Sequence, residues 1–180
     1  MKFCSQCGQS VSLKTPDGDN RPRYICGHCE KIHYENPRIV AGCVPVHDGQ
    51  ILLCKRAIEP RYSYWTVPAG FMELDESLPE AAARETWEEA QATVELGPLF
   101  TVVDVIQAKQ VHIFFEANMA EPNFGAGDET LETRLYRPEE IPWDEIAFES
   151  VRIALKVHLN NRTLANPGVG LFRVSRTGIA

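Results

Sequence analysis

The sequence has little of what marks a membrane or secreted protein. Its longer apolar runs, such as Ile39 to Val46, fall well short of the roughly 18 residues that a membrane-spanning helix needs. The first residues, Met1 to Cys4, contain no apolar segment of the kind found in a secretory signal. We therefore expect a protein that crosses no membrane and is located in the cytoplasm.

An excess of positive charge is also missing. The 180 residues include 18 Lys and Arg against 25 Asp and Glu, a net charge of −7. This balance argues against a protein that holds nucleic acid through many phosphate contacts. The hydrophobic fraction of 44% and the charged fraction of 24% are those of globular chains, which excludes disordered and fibrous classes. The length fits one ordinary domain, with or without a small appendage.

Four of the six cysteines form two C-x2-C pairs near the start of the sequence, with 18 residues between the pairs. This spacing is typical of a tetrahedral zinc site with four thiolate ligands. Two disulfides or a redox pair are the alternatives, and His28 or His33 could replace one cysteine. Four thiolates leave no open coordination position, so we expect a structural role for the metal. The predicted zinc ligands are Cys4, Cys7, Cys26 and Cys29.

After Pro37 the hydrophobic pattern becomes that of an α+β domain with a mixed sheet. Helices are predicted over 77–91 and 148–160. Strands are predicted over 38–47, 50–56, 64–67, 99–106, 110–117 and 133–137, with a two-residue hairpin turn at Asp48-Gly49. We therefore divide the chain into a zinc ribbon (1–36), a main domain (37–160) and a C-terminal tail (161–180). The tail lacks a clear period and is expected to be loose or docked on a partner subunit. Cys43 and Cys54 lie in apolar strands and are expected to be buried as free thiols.

The first predicted helix concentrates acidic side chains on one face. Glu85, Glu88 and Glu89 are three and four residues apart, and residues at this spacing are neighbours on a helix surface. The three carboxylates have no base among them, so Mg²⁺ or Mn²⁺ would relieve their repulsion. The alternative is a solvated face in which Glu80 pairs with Arg84 at i,i+4. The helix alone does not decide between the two.

The residues in front of this helix favour the first interpretation. The stretch Gly70-Phe-Met-Glu-Leu-Asp-Glu76, seven further residues and Arg84-Glu85-Thr-Trp-Glu88-Glu89 together resemble the Nudix box. In that box the helix reads Arg-Glu-aliphatic-any-Glu-Glu-any-Gly-aliphatic. The departures are Thr86 at an aliphatic position, Gln91 at the glycine and Ala92 at the last position. The matching positions are Gly70, Glu76, Arg84, Glu85, Glu88 and Glu89.

This resemblance implies a Nudix-type α/β/α sandwich that follows a small zinc ribbon, and a hydrolase of nucleoside diphosphate derivatives. It implies that magnesium or manganese is bound by Glu85, Glu88, Glu89 and the backbone carbonyl of Ala69. Arg84 would orient the glutamates, and Glu76 would support the box. A downstream acid often completes the site in this family. Here Glu129 is the first candidate and Glu132 the second, with a solvated loop as the alternative for either.

The expected substrate also follows from resemblance. A ribbon ahead of a Nudix box is the arrangement of the NADH pyrophosphatases, but their Ser-Gln-Pro-Trp-Pro-Phe-Pro segment has no counterpart between Ala92 and Phe115. The chain looks closer to plant-type FAD pyrophosphatases that accept ADP-ribose, through Cys54-Lys-Arg-Ala-Ile-Glu-Pro60 and Trp65-Thr-Val-Pro-Ala-Gly70. We therefore expect hydrolysis of ADP-ribose or FAD with release of AMP, and NADH as the alternative substrate.

Three aromatic residues are candidates for stacking on a substrate ring. They are Tyr64, Trp65 and Phe115, with core packing as the alternative for Trp65 and Phe115. His112 is expected to be a hydrogen-bonded core histidine. Related enzymes are often homodimers, so a dimer is a further expectation. A non-catalytic adaptor that binds nucleic acid or protein through the ribbon is the alternative from another functional class.

Overall fold

The structure is a computed structural model that describes residues 1–162, 168–175 and 178–179. Contacts divide the chain into two compact units, Met1–Asn36 and Pro37–Ala180. Helices α1 (Leu78–Ala90) and α2 (Glu149–Asn161) have 13 residues each. Among the described residues, no helix is long and apolar enough to cross a membrane.

The first unit is a small antiparallel sheet with almost no apolar interior. Its strands are β1 (Val11–Lys14), β2 (Arg23–Cys26) and β3 (Ile32–His33), in the order β1-β2-β3. The larger apolar side chains of this unit face solvent; Phe3 is 65% exposed and Tyr34 63%. Its buried residues are Cys4, Cys26 and His33. A segment that buries so little apolar surface needs another source of stability.

The second unit is built on a mixed sheet. Its strands are β4 (Arg38–His47), β5 (Gln50–Arg56), β6 (Trp65–Thr66), β7 (Ala69–Phe71), β8 (Glu95–Val105), β9 (Gln110–Asn118), β10 (Thr130–Tyr136), β11 (Gly170–Ser175) and β12 (Gly178–Ile179). In the part of the chain that is described, these nine strands pair in the order β10-β5-β4-β9-β8-β11-β12, with β6 beside β5 and β7 beside β4. The β4–β9 and β8–β11 pairs are parallel, and the other pairs are antiparallel.

The two helices cover opposite faces of this sheet. Cys43 packs with Ala81 and Ala82 of α1, whereas Val44 belongs to the cluster that contains Leu155 of α2. Consecutive residues of a strand point to opposite faces, so α1 and α2 lie on opposite sides. The expected α/β/α sandwich with a mixed sheet is confirmed.

Most predicted elements of the second unit are present, with shifts of a few residues at their ends. The hairpin is confirmed, because β4 and β5 have the predicted bounds and both turn residues adopt positive φ (Asp48 47°, Gly49 76°). The prediction for Cys43 and Cys54 is also confirmed, since both are free and at most 1% exposed. The three-residue strand β7 was not predicted, because so short a segment shows no period.

The segment 161–180 differs from the expectation of a separate tail. Asn161 completes α2, and residues 170–174 pair in parallel with residues 101–105 of β8. The pattern gave little sign of this strand because Leu171 is 77% exposed and the segment is only six residues long. Positions 163–167, 176–177 and 180 of the predicted tail lie outside the described residues.

Candidate active site

Helix α1 begins at a well-formed capping box. The Glu80 carboxylate accepts hydrogen bonds from the backbone N–H and the hydroxyl of Ser77, at 2.8 and 2.6 Å. The Ser77 hydroxyl in turn accepts from the Glu80 N–H at 3.5 Å, and Pro79 lies in the first turn. This cap fixes where the helix begins, and therefore where the glutamates of the following turns lie relative to the Gly70–Glu76 loop.

Arg84 joins three of the acidic side chains. Its Nη1 donates to Glu85 Oε1 and to Glu88 Oε2, both at 2.8 Å. Its Nε and Nη2 donate to the two carboxylate oxygens of Glu76 at 2.9 and 2.7 Å, which holds the pKa of Glu76 at about 2. The expectation that no base lies among the three carboxylates is therefore wrong, whereas the bonds to Glu85 and Glu88 agree with the orienting role that the resemblance implies for Arg84. Glu80, which would pair with Arg84 on a solvated face, is bonded to Ser77 instead, so this alternative is not what the structure shows.

Two of the glutamates are removed from solvent. Glu85 and Glu89 are each 9% exposed, and Glu89 accepts one hydrogen bond from the Ala69 N–H at 3.2 Å. Burial raises the pKa of Glu89 to about 8, and the charge of Glu85 adds to this effect. Burial also raises the pKa of Glu85. Both carboxylates would be held in the charged form most easily by a cation close to them.

Two glycines allow close approach to the glutamate turn. A side chain at Gly70 would overlap the Glu85 carboxylate, and one at Gly127 would overlap the Glu88 carbonyl oxygen. The Gly127 N–H also donates to the Glu89 carbonyl oxygen at 3.1 Å, so the loop before β10 closes the end of α1. This loop contains Glu129, whose charge contributes to raising the pKa of both Glu85 and Glu89.

The two downstream candidates therefore lie in different places. Glu129 lines the same cleft as Glu85, Glu88 and Glu89. Glu132 is exposed and opposite Lys55 in the β10–β5 pair, and it is not among the cleft-lining residues. Of the two, Glu129 is the one that the fold brings to the glutamate turn.

The cleft has a volume of about 1030 Å³ and extends beyond the glutamates to residues of β9 and α2. Away from the glutamates, His112 lies in the cleft wall between two partners: its Nε2 is 2.9 Å from Gln110 Oε1, and its Nδ1 is 2.9 Å from Ser150 Oγ. Burial lowers the pKa of His112 to about 4, so the ring is neutral near pH 7. The expectation of a hydrogen-bonded core histidine agrees with this environment.

The prediction that three aromatic residues stack on the substrate has to be corrected. Trp65 is 4% exposed in the core beside Tyr136, and Phe115 is 7% exposed beneath α1. Neither these two nor Tyr64 is among the residues that line the cleft in the described part of the chain. Alternation along β9 explains the error for Phe115, because its neighbour Phe114 points to the opposite face and lines the cleft. Sequence reasoning also missed several cleft residues, namely Phe71, Trp87, Gln110, Phe148 and Ser150.

In the first unit the four predicted ligands meet at one point. Their sulfur atoms all lie within 4.8 Å of one another, with Cys4 and Cys29 3.7 Å apart and Cys7 and Cys26 3.5 Å apart. Four sulfurs bound to one tetrahedral zinc ion at 2.3 Å are about 3.8 Å apart, so the arrangement fits such an ion. His33 replaces no cysteine; its Nε2 lies 3.3 Å from Cys4 Sγ.

Comparison with known proteins agrees with this division of the chain. Residues 2–35 match the zinc-ribbon family described as Nudix N-terminal, and residues 36–154 match the NUDIX domain. A NUDIX hydrolase from Nitrosomonas europaea, known from its crystal structure, shares 46% sequence identity with this chain. The two structures superpose with a TM-score of 0.92 over 97% of this chain and 99% of that one.

Two further relatives are more distant. A NAD-capped RNA hydrolase, NudC, of Vibrio atlanticus is 39% identical over 94 residues, which cover 49% of this chain and 31% of that protein. The matched segment thus spans about a third of the curated relative. The structure of an ADP-ribose pyrophosphatase from Streptococcus suis shares the fold at 17% identity, with a TM-score of 0.62 over 77% of this chain and 98% of that one. From its box, its fold and these matches together, the chain belongs to the Nudix family.

Proposed function

We propose that this protein is a Mg²⁺- or Mn²⁺-dependent hydrolase that cleaves the pyrophosphate of a nucleoside diphosphate derivative, ADP-ribose or FAD, and releases AMP. The observation that supports this function most directly is the convergence of Glu85, Glu88, Glu89 and Glu129 on one large cleft. Two of these carboxylates are almost buried, an arrangement that costs stability unless a ligand uses it.

The donor set fits a hard divalent cation, because carboxylate oxygens are the ligands that Mg²⁺ and Mn²⁺ prefer. When bound, such a cation supplies the positive charge that lets a diphosphate approach the glutamates, and it activates water for attack at phosphorus. The residues that would hold it are Glu85, Glu88, Glu89 and Glu129, with the Ala69 carbonyl.

The remaining residues of the box orient this set. Arg84 bonds both Glu85 and Glu88, and Glu76 holds the guanidinium from the other side. The Ala69 N–H fixes Glu89, and Gly70 leaves room for the Glu85 carboxylate. The buried part of the cleft at Gln110, His112 and Ser150 offers hydrogen bonds to an uncharged group of the substrate while excluding water from it.

In the ribbon we propose one Zn²⁺ bound by Cys4, Cys7, Cys26 and Cys29. The close spacing of the four sulfurs supports this ion. The backbone N–H groups of Gln6 and Cys29 donate to the sulfurs of Cys4 and Cys26 at 3.4 and 3.5 Å, and such bonds stabilise thiolates. The role that follows is structural, since four protein ligands close the coordination shell.

A second candidate function is supported by the similarity to NudC proteins, whose name describes hydrolysis of NAD-capped RNA. The corresponding substrates of this chain would be NADH or a nucleotide-capped RNA end. The net charge of −7 favours small dinucleotides over RNA. A non-catalytic adaptor is the least supported of the candidate functions, because an adaptor would not need two nearly buried carboxylates.

The test is AMP release in the presence of Mg²⁺ from a panel of FAD, ADP-ribose, NADH and NAD-capped RNA. We expect Glu88→Gln and Glu89→Gln to lose at least 100-fold in kcat and to need more Mg²⁺. Glu132→Gln is the matched control, because this exposed glutamate lies outside the cleft. Equal activity in all four proteins, or hydrolysis of none of the panel, would contradict the proposed function.

A further inference from the structure

One aromatic side chain at the cleft is left uncovered by the fold. Trp87 is 58% exposed, whereas Trp65 is 4% exposed in the core. Trp87 lies next to Glu88 in α1 and lines the cleft. The Nudix box accepts any residue at this position, so neither the metal-binding pattern nor the packing of α1 requires an indole here.

The other exposed aromatic side chain that lines the cleft has a partner within the protein. The Arg38 guanidinium lies 4.3 Å from the centre of the Phe71 ring, which is 43% exposed. The Arg56 guanidinium likewise covers the Phe148 ring at 5.0 Å. Among the described residues, Trp87 takes part in no ring pair and no cation–π contact. An uncovered indole beside a ligand cleft is a surface on which another flat ring can stack.

The cleft also contains a second, different place for a ring. Val40, Phe114 and Val151 are buried residues of its walls, and the His112 hydrogen bonds lie among them. This buried part comes from β4, β9 and α2, whereas Trp87 projects from α1 beside the glutamates. A diphosphate held at the glutamates carries one organic group on each phosphate. A substrate with an aromatic ring at each end would place one ring in the buried part of the cleft and the other against Trp87.

We propose that Trp87 stacks on the second aromatic base of a dinucleotide and so selects substrates with two aromatic bases, such as FAD, over ADP-ribose, which has only the adenine. This inference rests on the proposed function of the cleft. Stacking of one nucleotide ring on an aromatic side chain changes affinity by about tenfold, which is enough to set a preference between the two substrates.

The test compares Trp87→Ala and Trp87→Phe with the wild-type enzyme, using KM and kcat for FAD and for ADP-ribose. For Trp87→Ala we expect KM for FAD to rise about tenfold and KM for ADP-ribose to change by less than twofold. Trp87→Phe should keep KM for FAD within about threefold. Leu131→Ala is the control for loss of an exposed apolar side chain, because Leu131 is 45% exposed and outside the cleft.

An unchanged KM for FAD in Trp87→Ala, or an equal rise for both substrates, would overturn the inference and leave the proposed function intact. If neither substrate is hydrolysed, the proposed function is wrong. The stacking role of Trp87 is then tested by the binding of FAD alone. Quenching of tryptophan emission by FAD that is lost in Trp87→Phe and kept in Leu131→Ala supports the stacking role. Quenching that is absent, or equal in the two variants, overturns it.

Discussion

At the scale of single residues, the arrangement of the site depends on which carboxylates Arg84 binds. Arg84 is the one basic residue among seven acidic residues between Gly70 and Ala90, and it bonds Glu76, Glu85 and Glu88 at once. Spacing along the helix identified the glutamates and offered Glu80 as an alternative partner of Arg84, whereas the orienting role of Arg84 came only from the resemblance to the Nudix box. The loop carrying Glu76 folds back to the helix, and no pattern in the helix itself contains that information. Tertiary contact therefore decided the partner of Arg84.

His112 is the residue whose ionisation should affect stability. Burial holds its pKa at about 4 in the folded protein, against about 6.5 when unfolded. As the pH falls from 6.5 towards 4, the unfolded chain binds a proton that the folded chain does not, so stability decreases. We expect His112→Asn to reduce the loss of unfolding free energy between pH 6.5 and 4.5 by about 2 kcal/mol. Urea denaturation at the two pH values measures this, and an identical loss in both proteins would disprove it.

At the scale of elements, the boundaries of α1 position the site. Its capping box is a local feature, because Ser77 and Glu80 are only three positions apart in the sequence. The position of its other end was predicted to within one residue, but the loop that closes this end was not predicted. There Gln91 adopts the left-handed conformation with φ of 49°, and the Gly125 and Gly127 amides bond the last carbonyls of the helix. Gln91 thus adopts, at the position where the Nudix box has glycine, the left-handed conformation that glycine adopts most easily, and its backbone is strained there.

This strain gives a prediction for Gln91. A residue with a side chain is less stable than glycine in the left-handed conformation by about 1 kcal/mol. Glycine also loses more entropy on folding, so we expect Gln91→Gly to raise the unfolding free energy by about 0.5 kcal/mol. Gln91→Ala is the control, because it removes the amide but keeps the strain. Chemical denaturation measures both variants, and a gain in Gln91→Ala equal to that in Gln91→Gly would mean that the side chain, and not the backbone, is responsible.

At the scale of the whole molecule, hydrophobic patterns and short turns predicted an α+β domain with a mixed sheet, because these are local signals. The α/β/α sandwich was implied only by the resemblance to the Nudix box. The sequence predicted the acidic part of the cleft from one contiguous box. The rest of the cleft was not predictable, because Gln110, Phe114 and Ser150 come from elements whose pairing is set by the sheet order. The pairing of β11 with β8 could not be predicted for the same reason, since the two strands are about 70 positions apart in the sequence.

The two units should respond differently to loss of metal. The apolar clusters of the second unit are formed by its own residues, whereas the first unit buries only Cys4, Cys26 and His33. Zinc binding by four thiolates would then supply most of the folding free energy of residues 1–36. We expect one zinc per chain. After chelation, we expect fast amide exchange throughout residues 1–36 and unchanged protection in β4, β8 and β9. Cys26→Ser should give the same exchange pattern without a chelator. Persisting protection in β1 and β2 of metal-free protein would show that the ribbon is stabilised by something other than its thiolate site.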